Sequence, residues 1–345
     1  MTSIDFTTYL QISAKEIEKE LIKFSKDWGK YVSQNVSDLQ KLNTQFIDRL
    51  FGGKMLRGTL VRLGYELAGR KATIAIYKPA IAFEILHTSL LIHDDIIDQS
   101  PVRRGKPALH IAKDKHYGIS QAICLGDLGI SLSMRLISES DFPLVRKNKA
   151  LSYFSHIIST TILGEMLDVQ FSQGDNRTEE QILLMQRMKT ARYTIVGPLT
   201  LGALLAGAPE KFLNTLKQFG DYLGIAFQIQ DDLLGIFGDE KTIGKSTTSD
   251  IEENKSTLFI TYSLKHGNKQ QLETLKKYYG KKHISEKQQE AIKQIFIETG
   301  AVSYSQKKIK TLTDSAKALI PQITKNKEKQ TLLYEFTDYL TGRNK

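Results

Sequence analysis

Three aspartates lie within an apolar run, LLIHDDIID, at residues 90–98. If this run is helical, Asp94 and Asp98 project from one face about one turn apart, and Asp95 lies roughly 100° around the axis. Carboxylates this close repel each other, and burying them beside leucine and isoleucine is costly unless a cation neutralises them. The chain must therefore fold so that metal ions or basic side chains reach this helix.

A second apolar run, FQIQDDLLGIF at residues 227–237, carries Asp231 and Asp232. Two helices that face each other with these side chains would form a site lined by oxygen atoms, which Mg²⁺ prefers and commonly shares with substrate phosphates. Basic residues follow both runs, RRGKP at 103–107 and GK at 244–245. One DDxxD run alone would more simply be an exposed acidic helix end, but the conjunction predicts a site for metal ions and a polyanion.

Helix-forming residues fill the intervals between the seven widely spaced prolines. One amphipathic helix is predicted over residues 9–31, and its apolar positions include Ile12, Ile17, Leu21 and Phe24. Capping boxes that begin at Thr178 and Ser285 predict two further helix starts. The sequence shows no fixed-period repeat, no series of alternating strands and no Gly/Ser-rich or Pro-rich linker, so we predict one all-α domain over residues 1–345.

The net charge of +10 favours acidic partners such as nucleic acid, an anionic membrane or phosphorylated molecules. Much of the excess lies in KKYYGKKH (276–283) and KNKEK (325–329), which we interpret as solvated, lysine-rich surface. The single cysteine, Cys124, cannot form an internal disulfide, and we expect a buried thiol. The N-terminus lacks an apolar signal region and no run reaches the roughly 20 apolar residues of a membrane span, so we expect a cytoplasmic protein without an integral membrane segment.

Seven motifs, in this order, resemble those of the trans-isoprenyl diphosphate synthases, also called polyprenyl synthetases. They are GGKMLRG (52–58), EILHTSLLIHDDIID (84–98), RRGKP (103–107), GEMLD (164–168), KTARY (189–193), FQIQDD (227–232) and GDEKTIGK (238–245). The resemblance implies a single-domain isoprenoid synthase fold, a helical bundle around a central cavity, and a homodimer. It also implies head-to-tail condensation of isopentenyl diphosphate with an allylic diphosphate, such as dimethylallyl, geranyl or farnesyl diphosphate.

The same resemblance assigns the acidic residues to metal binding. Asp94 and Asp98 would bind Mg²⁺ directly, with Asp95 supporting them. Asp231 would hold a further ion from the opposite wall, and Asp232 would act mostly through water. About three Mg²⁺ ions per active site would then hold the diphosphate together with these carboxylates.

The resemblance further implies two diphosphate sites and a group of residues at the reacting carbon. The allylic diphosphate would contact Arg103, Lys189 and Lys245, with Lys255 nearby. Isopentenyl diphosphate would contact Lys54, Arg57, His87 and Arg104. Oxygen dipoles would be offered to the allylic carbocation by Thr190 and Gln228. At the C-terminus, the residues that could close over the diphosphates are Arg343 and Lys345.

Three positions depart from the commonest family pattern. Gly235 stands where the second acidic motif usually ends in aspartate, so we expect weaker binding of the third ion. Gly58 follows Arg57 in place of a common proline. Glu165 replaces a common glutamine ahead of Asp168, which is expected to change the local electrostatics.

In this family, bulky residues upstream of the first acidic motif form the floor of the product tunnel. The fifth residue before Asp94 is the small Ser89, and Leu86 and Phe83 lie further along a similar face. Phe83 is the candidate floor, although an ordinary core position would explain it as well. We predict geranylgeranyl diphosphate as the product, with a medium-chain polyprenyl diphosphate as the alternative.

Three other functions are weighed against this one. A terpene cyclase binds a single diphosphate and would not need the second basic set. A non-catalytic regulatory subunit of a heteromeric synthase typically loses one acidic motif, whereas here only Gly235 departs. A nucleic-acid binder would show interleaved basic and aromatic residues, which the sequence lacks. We therefore predict a Mg²⁺-dependent prenyl transferase.

Overall fold

The computed structural model describes residues 4–174, 177–238 and 247–342. Within these ranges the regular elements are helices apart from one short hairpin, which confirms the predicted all-α class. In chain order the α-helices are α1 (Phe6–Asn35), α2 (Gln40–Leu50), α3 (Leu56–Leu67), α4 (Tyr77–Ile97), α5 (Lys115–Ser138), α6 (Leu144–Ser172), α7 (Glu179–Gln186), α8 (Gly197–Ala206), α9 (Glu210–Phe237), α10 (Ser249–Glu252), α11 (Leu258–His266), α12 (Lys269–Tyr278), α13 (Glu286–Glu298), α14 (Ala301–Ile323) and α15 (Lys327–Thr341).

Shorter elements connect some of these helices. A π-helix spans Arg187–Val196, and 3₁₀ turns span Ser37–Leu39 and Ile74–Ile76. The hairpin strands are β1 (Val102–Arg103) and β2 (Lys106–Pro107), which pair antiparallel. The chain divides into two compact units, the first built from residues up to Ser155 with Gly197–Leu213, and the second from His156–Val196 with Asn214 onwards.

In the first unit, glycines bring two helix pairs into close contact. A Cβ built on Gly64 of α3 or on Gly202 of α8 would lie under 3.0 Å from the backbone of the opposite helix. On α5, a Cβ at Gly126 would overlap His93 of α4, and one at Gly129 would overlap Ser89 of α4. The helix that carries the first acidic motif is therefore packed directly against the backbone of α5.

The second unit has two clusters of buried apolar residues. One includes Phe259 of α11 and Phe296 of α13, both fully buried. The other includes Ala191 of the π-helix and Ile229 of α9. A Cβ on Gly224 of α9 would lie under 3.0 Å from Ala191, so the π-helix is held against the helix that carries the second acidic motif.

Several sequence predictions can be compared with these elements. The capping boxes at Thr178 and Ser285 are present and start α7 and α13. The predicted amphipathic helix lies within α1, where Ile17 and Leu21 are fully buried. Ile12 is 44% exposed, so its assignment to the apolar face was wrong: the buried stripe runs through Ser13 instead.

Two other predictions were wrong. Cys124 is exposed, because the buried face of α5 at this point consists of Ala122, Leu125 and Gly126. The segment Ile74–Ile97 is long and apolar enough to cross a membrane, contrary to the prediction that no run reaches that length. Because 67% of its most apolar stretch is buried within the protein, the segment is packed as a core helix.

Candidate active site

In the first unit, the first acidic motif is joined to an arginine of the hairpin. Asp94 and Asp95 lie in the last turn of α4, and the guanidinium of Arg103 on β1 donates to both carboxylates. The Arg103 Nε to Asp95 Oδ1 distance is 2.7 Å, and the Nη2 to Asp94 Oδ2 distance is 3.0 Å. Burial acts to lower the pKa of Arg103, but the bonds and charges of the two aspartates outweigh it and raise that pKa. One of the two negative charges of this carboxylate pair is therefore balanced by a permanent cation.

A tight turn and a second arginine position Arg103 and its neighbour. Arg104 and Gly105 have φ values of 51° and 72°, so both central residues of the hairpin turn adopt the left-handed conformation that two-residue hairpins favour. The guanidinium of Arg49, in the last turn of α2, donates to the carbonyl oxygens of Arg103, at 3.2 Å, and of Pro107. Arg49 also lines a pocket with Arg103 and Arg104. The sequence analysis missed Arg49, which carries no motif signal beyond its place just before GGKMLRG.

Two of the predicted isopentenyl diphosphate residues, Arg57 and Arg104, act on a buried carboxylate that the sequence did not indicate. Glu84 of α4 accepts a bond from the Gly58 backbone N–H at 2.7 Å. Burial raises the pKa of Glu84, while the charges of Arg57 and Arg104 and the Gly58 bond oppose that rise. Proline at position 58 could not donate this bond, and a Cβ there would lie 3.1 Å from the Ala80 carbonyl oxygen. The departure at Gly58 thus creates a contact that orients the start of α3.

His87 lies one turn beyond Glu84 on α4. Burial and the positive charges of Arg57, Arg104 and Arg103 hold the pKa of His87 well below its usual range. The imidazole is therefore neutral at physiological pH and acts as a hydrogen-bonding group. Lys54 is exposed just before α3, where it could meet a substrate from solvent.

In the second unit, a lysine of the π-helix pairs with two carboxylates of α6. The Lys189 Nζ atom lies 2.9 Å from Glu165 Oε2 and 2.7 Å from Asp168 Oδ2. A Cβ on Gly164 would overlap the Lys189 backbone, so α6 and the π-helix are in direct contact here. Thr190 follows, partly buried. The glutamate at position 165 therefore places a second carboxylate, besides that of Asp168, against the lysine that is predicted to bind the allylic diphosphate.

The two aspartates of the second motif differ in environment. Asp231 is exposed, whereas Asp232 is buried and its two oxygens accept bonds from the amides of Gln186, at 2.8 Å, and Gln228, at 2.7 Å. Burial, reinforced by the charges of Asp250 and Asp231, raises the pKa of Asp232 to about 8. Gln228 is thus fixed by Asp232, which orients the amide that is predicted to face the carbocation.

The remaining predicted residues are Lys255, which follows α10, Asp98, which follows α4, and three that lie outside the described ranges. The Lys255 Nζ atom lies 3.4 Å from Asp250 Oδ1 and 3.2 Å from Glu253 Oε2. Asp98 ends α4 in the first unit, partly buried. The residues that lie outside the described part of the chain are Lys245, Arg343 and Lys345.

The predicted chain-length residues are all fully buried. The Ser89 hydroxyl donates to the Ile85 carbonyl oxygen at 2.9 Å and faces Gly129, so its small size suits the contact between α4 and α5. The Phe83 ring packs edge-on against Phe154, with centroids 4.9 Å apart. The structure therefore gives Phe83 a clear place in the core of the first unit.

The donor set fits magnesium. Within the described ranges, no group of three or more His, Cys, Asp or Glu side chains could hold a metal ion by itself. Mg²⁺ does not need such a cage, because it keeps several waters and binds through one or two carboxylates plus substrate phosphates. Carboxylate oxygens of that kind are present on Asp94 and Asp98 in the first unit and, in the second unit, on the exposed Asp231.

The raised pKa of Asp232 predicts a pH-dependent stability. The folded state keeps the Asp232 proton up to about pH 8, whereas the unfolded chain loses it near pH 4. The folded protein thus binds more protons across this interval, and its free energy of unfolding falls as pH rises. Between pH 5.5 and pH 8, without Mg²⁺, we expect the free energy of unfolding to fall by roughly 1–3 kcal/mol less in Asp232→Asn than in the unmodified protein.

Urea unfolding at both pH values measures this difference. Asp314→Asn, at an exposed pair with Lys310, is the control and should follow the unmodified protein. If the free energy of unfolding falls equally in Asp232→Asn and in the unmodified protein, then Asp232 does not have a raised pKa in the folded protein.

Comparisons with known proteins identify a family for this chain. The family model described as polyprenyl synthetase matches residues 40–296. A geranylgeranyl pyrophosphate synthase of Geoglobus acetivorans is 33% identical over 329 residues, which cover 92% of this chain and 98% of that protein. A geranylgeranyl diphosphate synthase of Sulfolobus acidocaldarius is 36% identical over 236 residues, 68% of this chain and 69% of that protein.

A solved structure gives the same result for the fold. The geranylgeranyl pyrophosphate synthase of Corynebacterium glutamicum, complexed with isoprenyl diphosphate and magnesium, superposes with a TM-score of 0.87. The match covers 99% of this chain and 100% of that one at 26% identity.

Proposed function

The chain belongs to the polyprenyl synthetase family and is a prenyl transferase, and we propose that it makes geranylgeranyl diphosphate from isopentenyl diphosphate and an allylic diphosphate. The observation that carries the proposal is that the first unit holds further basic residues beside the arginine that binds the acidic motif. Arg103 is joined to the acidic motif, while the charges of Arg57 and Arg104 act on both Glu84 and His87. A transferase that joins two diphosphate substrates needs two such groups, whereas a cyclase needs one.

The residues act on charge that develops during the reaction. Breaking the allylic C–O bond leaves a carbocation and a diphosphate, and Arg103 and Lys189 stabilise the negative charge on the leaving group. When bound by Asp94, Asp98 and Asp231, Mg²⁺ supplies Lewis-acid stabilisation of that same charge. Gln228 and Thr190 contribute oxygen dipoles to the carbocation.

The second substrate is oriented by the other basic group. Arg57, Arg104 and Lys54 bind the diphosphate of isopentenyl diphosphate, and the neutral His87 donates a hydrogen bond to it. The alkene π electrons then form the new bond to the allylic carbon, and a proton leaves to restore a double bond. The departing diphosphate is the base, because no strongly basic side chain is assigned to the reacting carbon.

We further propose one domain over residues 1–345, a homodimer and a cytoplasmic location. An exposed apolar stripe on α6 supports the dimer. Its members are exposed by 41–61%, and they are Ile162, Leu163, Met166 and Val169. Four large apolar residues at helical spacing on one exposed face are typical of a protein interface.

Product analysis tests the function. Purified protein is incubated with Mg²⁺, radiolabelled isopentenyl diphosphate and dimethylallyl, geranyl or farnesyl diphosphate, and the products are sized. Elongation to geranylgeranyl diphosphate is expected. A cyclic hydrocarbon would identify a cyclase, and no product from any starter would support a regulatory subunit.

Replacing Phe83 with alanine is expected to shift the products toward longer chains, because Phe83 is proposed as the tunnel floor. Truncating a buried phenylalanine also costs about 3–5 kcal/mol of stability. Phe154→Ala is therefore the matched control, since it removes the other ring of the same pair. Longer products from Phe83→Ala alone support the floor, whereas the same product distribution from both variants assigns Phe83 to the core only.

A further inference from the structure

Gln186 is the polar exception among the buried residues of α7. The other two buried side chains of this helix, Ile182 and Met185, are apolar and belong to the cluster that includes Ala191 and Ile229. Gln186 is only 2% exposed, and its Oε1 atom meets no hydrogen-bond donor in the part of the chain that the structure describes. A buried amide with an unsatisfied oxygen is costly, and an apolar side chain of similar size would avoid that cost. The role of this side chain therefore lies with its amide nitrogen.

That nitrogen donates to the second acidic motif. The Gln186 Nε2 atom lies 2.8 Å from Asp232 Oδ2, while the Gln228 amide donates to Oδ1 of the same carboxylate at 2.7 Å. Gln228 lies on α9 itself, one turn before Asp232, whereas Gln186 lies 46 residues before Asp232 in the chain and on another helix. The Gln186 bond therefore ties the end of α7 to the motif.

Gln186 is also the last residue before the π-helix that carries Lys189. A π-helix is uncommon, and it frequently lies at a functional site. A Cβ on Gly164 of α6 would overlap the backbone of Lys189. A Cβ on Gly224 of α9 would overlap Ala191, two residues further along the π-helix. The segment that carries Lys189 is therefore packed closely against α6 and α9, and its start is joined to α9 by the Gln186 bond.

The opposite end of α7 is anchored as well. Glu179, its first residue, accepts a hydrogen bond from the Tyr304 hydroxyl and pairs with the Lys308 Nζ atom at 2.6 Å, and both partners lie on α14. These contacts fix where the helix begins, and α7 has only eight residues. Gln186 thus reaches Asp232 from a short helix that is held at both ends.

We propose that Gln186 is a positioning residue for prenyl transfer, and that its bond to Asp232 fixes Lys189 relative to the second acidic motif. The inference rests on the proposed function, in which Lys189 and the metal ion at this motif act on the same leaving diphosphate. Groups that act on one diphosphate must be held at a fixed separation, because a small displacement removes much of the transition-state stabilisation. Gln186 acts through the two groups that it connects and does not contact the substrate itself.

Steady-state kinetics of Gln186→Met test the proposal, since methionine has a similar length and lacks the amide donor. The KM for the allylic diphosphate is expected to rise about tenfold, and turnover to fall about tenfold or more. The KM for isopentenyl diphosphate should stay within about twofold, because the residues predicted to bind that substrate lie in the first unit. A purely structural loss would lower the concentration of folded enzyme and leave both KM values unchanged.

Gln330→Met is the matched control. Gln330 on α15 is also a buried glutamine, and its amide donates to the Thr324 carbonyl oxygen at 2.8 Å. The control removes the same kind of buried bond from a helix that carries no predicted site residue within the described ranges. Both KM values should stay as in the unmodified protein.

A double-mutant cycle with Asp232→Ala identifies the partner through which Gln186 acts. Once the Asp232 acceptor is gone, Gln186→Met should change the binding of inorganic diphosphate with Mg²⁺ by less than about threefold. In the unmodified background, the same substitution should weaken that binding about tenfold. Isothermal titration calorimetry measures both values without turnover. Gln186→Asn, whose amide is one methylene shorter, is the second variant and should reproduce the effect, and circular dichroism verifies folding.

Two results would overturn the proposal: unchanged allylic KM and diphosphate binding in the folded Gln186 variants, or an undiminished effect of Gln186→Met in the Asp232→Ala background. The failure of the proposed function looks different. An unmodified protein that binds diphosphate with Mg²⁺ but elongates no allylic substrate removes the function. The calorimetric comparison then still decides whether Gln186 positions the diphosphate-binding groups.

Discussion

Replacing Asp94 with asparagine is expected to lower the turnover of prenyl transfer by about 10³-fold or more. The neutral amide is a poor ligand for Mg²⁺ and also removes one of the two carboxylates that hold Arg103. Both effects act on the charge that develops on the leaving diphosphate. Initial rates at saturating substrates over a range of Mg²⁺ concentrations measure the loss.

Two further observations separate this effect from damage to the fold. The Asp94→Asn variant should keep its helical circular dichroism, and Asp314→Asn should keep full activity, since its carboxylate contacts Lys310 on an exposed surface. A variant that retains more than a tenth of the original turnover would contradict the assignment of Asp94 to the reacting diphosphate.

Lys189→Gln is expected to have the second largest effect, with turnover reduced about 10²-fold or more. The lysine Nζ atom would contribute positive charge to the allylic diphosphate. Its loss also leaves Glu165 and Asp168, which are partly buried, without their shared cation. We therefore expect a stability loss of about 1–3 kcal/mol as well.

A second substitution distinguishes the two consequences. In Lys189→Gln combined with Glu165→Gln, the like-charge repulsion is relieved and much of the stability should return. Turnover should stay low, because the cation is still missing. Recovery of both properties would mean that Lys189 acts only by holding α6 and the π-helix together.

Local sequence features could be predicted well. The two capping boxes start helices because a side-chain oxygen and a backbone N–H only three residues apart satisfy each other. The acidic motif could be placed on α4, because three aspartates within an apolar run imply a helix with neutralising partners. Arg103 is one such partner, only eight and nine residues beyond Asp95 and Asp94.

Contacts between distant segments could not be predicted. Arg49 acts on a hairpin more than fifty residues away, and Glu84 acts on Gly58 in the preceding helix. Cys124 was misplaced because α5 is apolar enough that the sequence does not show which face packs inward.

The two glycines that join α3 and α8 also limit how this enzyme can evolve. Sliding α3 along its axis by about one turn would bring the Cβ of Leu60 or Leu67 to the place where Gly64 meets the α8 backbone. Such a translation is sterically blocked. Arg57, which lies on the same helix, therefore keeps its position along the helix axis. New diphosphate preferences on this side of the protein must therefore arise by exchanging side chains on a stationary helix.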